Sequence, residues 1–160
     1  MTFDDFLQFL HVASAFGFVG GLLGRDIVLG QARRSQDISK VEALVEVAGP
    51  LERYLVIPGS IAVLLFGILV WWAQGIPVWS EGTRWVTVSL VLYATTIPLV
   101  PLIFLPRGKV FEAALTSAIA AGHVTPELSA AFWDPFVTGA RWYELGVVAV
   151  VILLMVTKPF

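Results

Sequence analysis

One histidine, His11, lies inside a run of apolar residues near the start of the sequence. An ionisable side chain inside a lipid bilayer is costly, so such a residue is by default a candidate functional residue. Its candidate roles are coordination of a haem iron or another metal, proton handling, and contact with a polar substrate. The alternative is a neutral imidazole that hydrogen-bonds to water or to a neighbouring helix and has only a structural role.

The residues around His11 form a small and polar helix face. Counted at 100° per residue, His11, Ser14, Phe18 and Arg25 fall within a narrow arc of one helix. Four glycines lie beside that arc in two GxxxG spacings, which allow helix backbones to approach closely. These glycines are Gly17, Gly20, Gly21 and Gly24. Close helix packing is the first interpretation of the glycines, and space for a flat ligand is the second.

The last apolar segment carries two residues that could pair with His11 and Arg25 of the first segment. Glu144 and Met155 are eleven residues apart, about three helical turns, and therefore share a helix face. If the two segments are antiparallel, Met155 lies at the depth of His11 and Glu144 at the depth of Arg25. His11 and Met155 are then candidate axial ligands of one haem, with packing as the alternative role of the methionine. Arg25 and Glu144 are expected to form an ion pair, with a substrate-binding charge pair as the alternative.

Further polar residues are expected near the same membrane surface as Arg25 and Glu144. They are Asp26, Glu52, Arg53, Arg141 and Tyr143. This cluster lacks the ligand spacing of a metal site, and the sequence contains no HExxH, DxDxDG, P-loop, GxGxxG or serine-elbow motif. Hydrolase, nucleotide-dependent and dinucleotide-dependent activities therefore have no positive support, and no catalytic residue is assigned.

The composition indicates that the elements carrying these residues are membrane helices. Of 160 residues, 58% are hydrophobic and 14% are charged, whereas a soluble domain is roughly a quarter charged. So few polar residues cannot cover the outside of a soluble fold, and the expected surroundings are the lipid bilayer. A net charge of -2 gives no basic surface for nucleic acid. The absence of cysteine excludes disulfides, thiolate metal sites and Fe–S clusters.

Four segments are long enough to cross a hydrocarbon core of about 30 Å as helices. They span about 6–30, 54–73, 85–105 and 136–157. Pro98 and Pro101 each remove an amide donor and are expected to bend the third helix in its second half. The chain is therefore predicted to be a single all-α membrane domain over residues 1–160, an antiparallel bundle of four transmembrane helices.

Short surface helices are expected in the first and third connections, at about 37–48 and about 109–132. Gly49-Pro50 is expected to end the first of them before the second span begins. Lysine and arginine are concentrated in these two connections, whereas the opposite side has only Arg84 and Lys158. The excess of basic residues on cytoplasmic loops predicts that both connections are cytoplasmic and that both termini are outside.

Several segments of the chain resemble a family of small bacterial four-helix membrane proteins known only as predicted integral membrane proteins of unknown function. The resemblance runs through FLQFLHVASAFGFVGGLLGRDIVLGQAR, ERYLVIPGS, PLVPLIFLPRGKVFEAAL, VTPELSAAFWDP, YELGVV and LMVTKPF. It covers most of the length, implies a multi-pass protein of the bacterial inner (plasma) membrane, and implies no activity.

More distantly, His11 followed by Gly20, Gly21 and Arg25 resembles HemJ-type protoporphyrinogen oxidases and CopD-like copper or haem membrane domains. In those proteins such a histidine binds haem. HemJ-type proteins also carry a lysine in a later membrane helix and CopD-like domains carry more membrane histidines, and this sequence has neither. The resemblance therefore implies haem at His11 and not a reaction.

Three function classes follow from the sequence. The first is a haem-binding redox protein, the second a small transporter or permeation subunit, and the third an accessory or scaffold protein without chemistry. The bilayer is the expected partner in every case, and a homo-oligomer is compatible with each of them.

Overall fold

A computed structural model of the protein describes residues 2–77 and 79–159, and within these ranges every regular element is a helix. The elements are α1 (Phe3–Ala32), α2 (Ile38–Pro50), a first π segment (Leu51–Val56), α3 (Ile57–Ala73), α4 (Arg84–Ala94), a second π segment (Val100–Phe104), α5 (Leu105–Ala121), α6 (Pro126–Phe132) and α7 (Pro135–Thr157). The prediction of an all-α fold is confirmed.

Two compact units are distinguished by their internal contacts, and each is described by itself. Unit one comprises Met1–Ser35 and Lys40–Ile76, and it contains α1, most of α2, the first π segment and α3. Unit two comprises Gln36–Ser39 and Pro77–Phe160, and it contains α4 to α7 with the second π segment.

Three helical stretches among the described residues are long and apolar enough to cross a membrane. They are Phe3–Ala32, Ile38–Ala73 and Pro126–Thr157, and the apolar helix Arg84–Ala94 is shorter. The protein is therefore helical with long apolar spans, as expected of an integral membrane protein. Four crossings in an antiparallel bundle stay a prediction.

The helix α1 begins at a capping box and buries one face. The Thr2 amide donates to Asp5 Oδ2 at 2.8 Å, and the Asp5 amide donates to Thr2 Oγ1 at 3.2 Å. Both exchanges satisfy amide groups that the first turn of a helix otherwise leaves without partners. The buried residues are Leu7, Phe18, Gly21, Leu22, Arg25 and Ala32. They lie on the face that the spacing of His11, Ser14, Phe18 and Arg25 marks in the sequence.

The chain remains helical from Ile38 to Ala73, and Gly49-Pro50 does not end the surface helix as expected. Instead the first π segment follows Pro50 directly, and the Ile57 amide donates to the Glu52 carbonyl five residues back. Pro50 and Pro58 cannot donate amide hydrogen bonds, and a widened turn between them pairs neighbouring groups in another register. The two prolines therefore shift the hydrogen bonding without stopping the helix.

The third apolar segment is interrupted where a bend is expected. Helix α4 ends at Ala94, residues 95–98 form a turn, and the second π segment leads into α5. Pro98 and Pro101 remove two donors three residues apart, which is more than one continuous α-helix tolerates. The Leu102 amide donates to the Pro98 carbonyl and the Leu105 amide to the Val100 carbonyl, so helical structure resumes after the turn.

The segment expected to form a surface hairpin contains α5 and α6. Gly122, in the left-handed conformation at φ 74°, ends α5, and Thr125 Oγ1 accepts from the Leu128 amide at the start of α6. Asp134 Oδ1 then accepts from the Phe136 amide at 2.9 Å and caps α7. These three caps define where α5 ends and where α6 and α7 begin.

Candidate functional site

His11 is half-buried in unit one, on α1, and its imidazole reaches the backbone of α3. The Nδ1 atom lies 3.0 Å from the Val63 carbonyl oxygen. A carbonyl oxygen only accepts, so Nδ1 must carry the proton in this hydrogen bond. In a neutral imidazole the proton on Nδ1 leaves the lone pair on Nε2. The contact with α3 therefore fixes both the orientation and the tautomer of His11.

Gly67 provides the space that the imidazole occupies. A Cβ atom at this position would lie 3.0 Å from His11 Cε1 and 3.2 Å from Nδ1. Gly67 follows Val63 by four residues, so its own amide faces the Val63 carbonyl in the α-helical pattern. The missing side chain at Gly67 lets His11 approach a carbonyl that helical side chains ordinarily cover.

The rest of the interface between α1 and α3 keeps the two backbones close. A Cβ on Gly59 would lie 3.0 Å from the N, Cα and Cβ atoms of Phe18, and a Cβ on Gly21 would lie 2.7 Å from the Leu55 Cβ. Residue numbers fall along α1 as they rise along α3, so this helix pair runs in opposite directions. The packing interpretation holds for Gly21, whereas Gly17 and Gly20 have open space beside them.

Arg25, on the same face of α1, is buried and held by two carboxylates of unit one. Its Nη1 donates to Glu52 Oε2 at 2.6 Å, and its Nε donates to Asp26 Oδ1 at 3.2 Å. Glu52 belongs to the first π segment, which packs against α1. The widened turn thus carries an acidic side chain to a guanidinium inside an otherwise apolar helix pair. Charge-assisted bonds of this kind offset much of the cost of burying the cation.

A cavity of about 330 Å³ lies at the end of α3 in unit one. Its lining consists of Trp71, Trp72, Gly75 and Ile76. Trp71 follows Gly67 by four residues and therefore lies on the same face of α3, one turn further along.

The other predicted site residues lie on α7 in unit two. Arg141, Glu144 and Met155 are half-buried, whereas Tyr143 is exposed. The Tyr143 hydroxyl lies 2.6 Å from Thr95 Oγ1, which itself donates to the Leu92 carbonyl, so Tyr143 is the donor. This bond joins α7 to the turn that interrupts the third apolar segment.

The pairing of His11 with Met155 and that of Arg25 with Glu144 join residues of different units, and both stay predictions. Within the described ranges, no group of three or more His, Asp or Glu side chains is arranged to hold a metal ion.

Comparison with known proteins identifies the family of this chain. The family model described as "Predicted integral membrane protein (DUF2269)" matches residues 5–159. The chain belongs to this family. No curated protein and no solved structure matches it. The resemblance to a family of predicted integral membrane proteins is confirmed, and these comparisons show no relation to HemJ-type or CopD-like proteins.

Membership of the DUF2269 family establishes a membrane protein and gives no activity. Only the geometry of the site therefore bears on its chemistry. His11 and Arg25 are recognisable from the sequence as ionisable groups in an apolar segment. The roles of Val63 and Gly67 are not, because one contributes a backbone carbonyl and the other an absent side chain. A glycine one turn after another residue of an apolar helix gives too weak a signal to locate a histidine contact.

Proposed function

We propose that this member of the DUF2269 family binds haem in a redox role, with His11 as one axial ligand. The observation that carries the proposal is the hydrogen bond between His11 Nδ1 and the Val63 carbonyl oxygen at 3.0 Å. Histidines that bind metals ordinarily donate their other ring N–H to a carbonyl or carboxylate, which orients the ring. The bond therefore leaves Nε2 as the atom available to an iron.

The Nε2 atom of His11 is the position at which a haem iron would bind. No described residue forms a hydrogen bond with Nε2, and the cavity lined by Trp71 and Trp72 lies one turn along α3 from Gly67. The absence of a competing partner at Nε2 supports coordination of a haem iron over a purely structural role for the imidazole. Bound haem would supply one-electron transfer, and His11 would hold and orient it.

Met155 is the proposed second axial ligand. It lies on the half-buried side of α7, and in an antiparallel bundle it lies at the depth of His11. At the other end of the same helix we propose that Glu144 pairs with Arg25, with Arg141 and Tyr143 in the same polar region. These pairings depend on the antiparallel arrangement of the first and last helices.

We propose a topology of four crossings, with α4 and the second π segment together forming the third. The basic first and third connections would then be cytoplasmic and both termini outside the bacterial inner membrane. Because the sequence contains no cysteine, single substitutions at exposed Gln36 and Glu81 can be labelled cleanly. An impermeant maleimide should label Glu81→Cys in intact cells and Gln36→Cys only after permeabilisation. The reverse pattern would contradict the orientation.

The haem proposal is tested by adding haem to the purified protein and recording the visible spectrum. The wild-type protein should give a Soret band that His11→Ala abolishes or shifts, because the iron loses its nitrogen ligand. His123→Ala is the matched control, since His123 is exposed on the loop after α5 and should leave the spectrum unchanged. Met155→Ala should shift the band without abolishing binding.

Two results would overturn the haem proposal. An unchanged spectrum in His11→Ala would exclude ligation by this residue. A wild-type protein that is colourless and shows no spectral shift with haem would favour a small transporter or permeation subunit, or an accessory scaffold protein. The apparent mass of the complex in detergent would report a homo-oligomer in the same preparation.

A further inference from the structure

Two cationic side chains each lie over a tryptophan ring at the end of unit two where α4 begins and α7 ends. The Arg84 guanidinium carbon lies 5.9 Å from the ring centroid of Trp79, and Lys158 Nζ lies 5.5 Å from that of Trp85. Cations within about 6 Å of an aromatic ring are attracted to its face. Because Arg84 and Trp85 are neighbours in the chain, both pairs belong to one small region, here termed the cationic end.

The Trp85 ring of the cationic end is held by the loop that precedes α4. Trp85 Nε1 donates to the Gly82 carbonyl at 3.1 Å, and Gly82 adopts a left-handed conformation. Thr83 Oγ1 donates to the Pro77 carbonyl at 3.0 Å and lies 2.8 Å from Ser80 Oγ. The tryptophan under Lys158 is therefore fixed by a hydrogen bond and is not a freely rotating surface side chain.

Lys158 has an unusual backbone for a lysine. Its φ is 44°, and among the described residues it is the one non-glycine residue with a positive φ. This conformation ends α7, and the Lys158 amide donates to the Leu154 carbonyl at 2.9 Å. Glycine would adopt it at lower cost, and strained backbones of this kind occur where a side chain is required in one place. The ammonium over Trp85 accounts for a lysine at this position.

Little negative charge offsets the two cations. Glu81 Oε1 lies 4.0 Å from Arg84 Nη2, and the Glu81 side chain is 97% exposed, so the attraction is weak. Within the described part of unit two, no carboxylate lies at ion-pair distance from Lys158. Counting Glu81, the described side chains of the cationic end therefore carry a net charge of +1 beside the ends of two apolar helices.

From this arrangement we propose that the cationic end binds the phosphate of an anionic phospholipid. Tryptophan concentrates at the headgroup level of a bilayer, and long basic side chains extend toward the same level from the ends of apolar helices. The Arg84 guanidinium can donate two parallel bonds to phosphate oxygens, and Lys158 adds a second positive charge. A zwitterionic lipid would place its own cationic group beside Arg84 and Lys158, which repel it. The site therefore favours phosphatidylglycerol over phosphatidylcholine.

The full-length protein in detergent, titrated with phosphatidylglycerol and read by native mass spectrometry, tests the proposal. The double variant Arg84→Gln/Lys158→Gln should lower the affinity by about twenty-five-fold, since each basic residue near a membrane surface contributes roughly fivefold. The matched control is Arg34→Gln/Lys109→Gln, which removes one arginine and one lysine that are exposed elsewhere. The control should retain the wild-type affinity within about twofold.

Separate titrations identify the source of the phosphate. Phosphatidylcholine should bind the wild-type protein at least tenfold more weakly, and inorganic phosphate at millimolar concentration should not compete. Equal binding of both lipids, equal losses in the two double variants, or displacement by inorganic phosphate would each overturn the lipid site. Circular dichroism checks that the variants fold. If the double variant does not fold, Lys158→Gln alone must still give the roughly fivefold loss.

Discussion

The helix pair of unit one and the helix pair of unit two are joined by different means. In unit one, α1 and α3 meet at glycines, and a Cβ on Gly59 would lie 3.0 Å from the backbone of Phe18. In unit two, the Tyr143 hydroxyl of α7 is hydrogen-bonded to Thr95, in the turn that follows α4. The glycines described in unit two all have open space beside them. They are Gly82, Gly108, Gly122, Gly139 and Gly146.

This difference bears on how ionisable side chains find partners inside a helix pair. Because the backbones of α1 and α3 are close, the His11 ring reaches the Val63 carbonyl and the Arg25 guanidinium reaches Glu52. In unit two the ion pair between Arg107 and Asp134 forms at a partly exposed position. Close approach of backbones is thus what allows ionisable groups to be satisfied inside an apolar helix pair.

The two π segments also differ in packing: the first contacts α1, and the second contains no buried residue. Prolines eight residues apart bracket each of them, Pro50 with Pro58 and Pro98 with Pro106. The first segment lies within one continuous helical stretch and carries Glu52 to α1. The second contains no buried residue and follows the turn at residues 95–98. A packed partner helix keeps the first continuous, whereas the additional Pro101 interrupts the second.

The largest single loss of stability is expected from the ion pair of unit one. Arg25→Met should lower the free energy of unfolding by about 2 to 3 kcal/mol, because a buried guanidinium is lost from between Asp26 and Glu52, and the 41% exposed Glu52 side chain then regains contact with solvent. Arg107→Met should cost only about 0.5 to 1 kcal/mol, since the Arg107 side chain is 44% exposed and Asp134 keeps the amide donors of Phe136 and Val137. Unfolding of both variants in the same detergent measures the difference. Equal losses would contradict the distinction between the two units.

Glycine substitutions are expected to change stability in opposite directions in the two units. Gly59→Ala should destabilise the protein by about 1 to 3 kcal/mol, because the new methyl group meets the backbone of Phe18. Gly108→Ala meets nothing and should stabilise α5 by up to about 1 kcal/mol through the higher helix propensity of alanine. Thermal unfolding of the two variants should therefore shift in opposite directions, and a loss of stability in Gly108→Ala would show that unit two also packs closely at glycine.

The smallest change in the free energy of unfolding is expected at Gly67, where the missing side chain makes room for the His11 ring. Gly67→Ala should cost about 1 kcal/mol, because its methyl group displaces the His11 ring from the Val63 carbonyl. In a His11→Ala background the same substitution should be neutral or stabilising, since no ring remains to be displaced. Additive effects of the two substitutions in unfolding measurements would show that Gly67 and His11 do not interact.

The all-α fold, the α1 face that carries His11 and Arg25, and the family were predictable from the sequence. The length of the apolar segments, the helical spacing of the residues and the resemblance along whole segments can each be read without knowing the tertiary structure. The continuity of α2 with α3 was not predictable from the sequence, because the effect of Pro50 depends on whether a widened turn packs against α1. The expected bend near Pro98 was placed correctly, but the number of lost hydrogen bonds made it an interruption.

The site itself was predictable only in part. An intramembrane histidine indicates a site because its burial is costly, and His11 has a specific partner. That partner is a backbone carbonyl, which no residue type at Val63 reveals. Glu52 belongs to the polar cluster expected near Arg25, but its contact depends on the register of the first π segment.

His11 is expected to hold its proton on Nδ1 and to present Nε2 to a ligand. Nitrogen NMR of histidine-labelled His123→Ala protein tests it most directly, because His11 is then the one histidine in the chain. We expect a protonated Nδ1 coupled to its hydrogen, and an Nε2 with an imine-type shift that moves when haem is added. A proton on Nε2 in the ligand-free protein would contradict it.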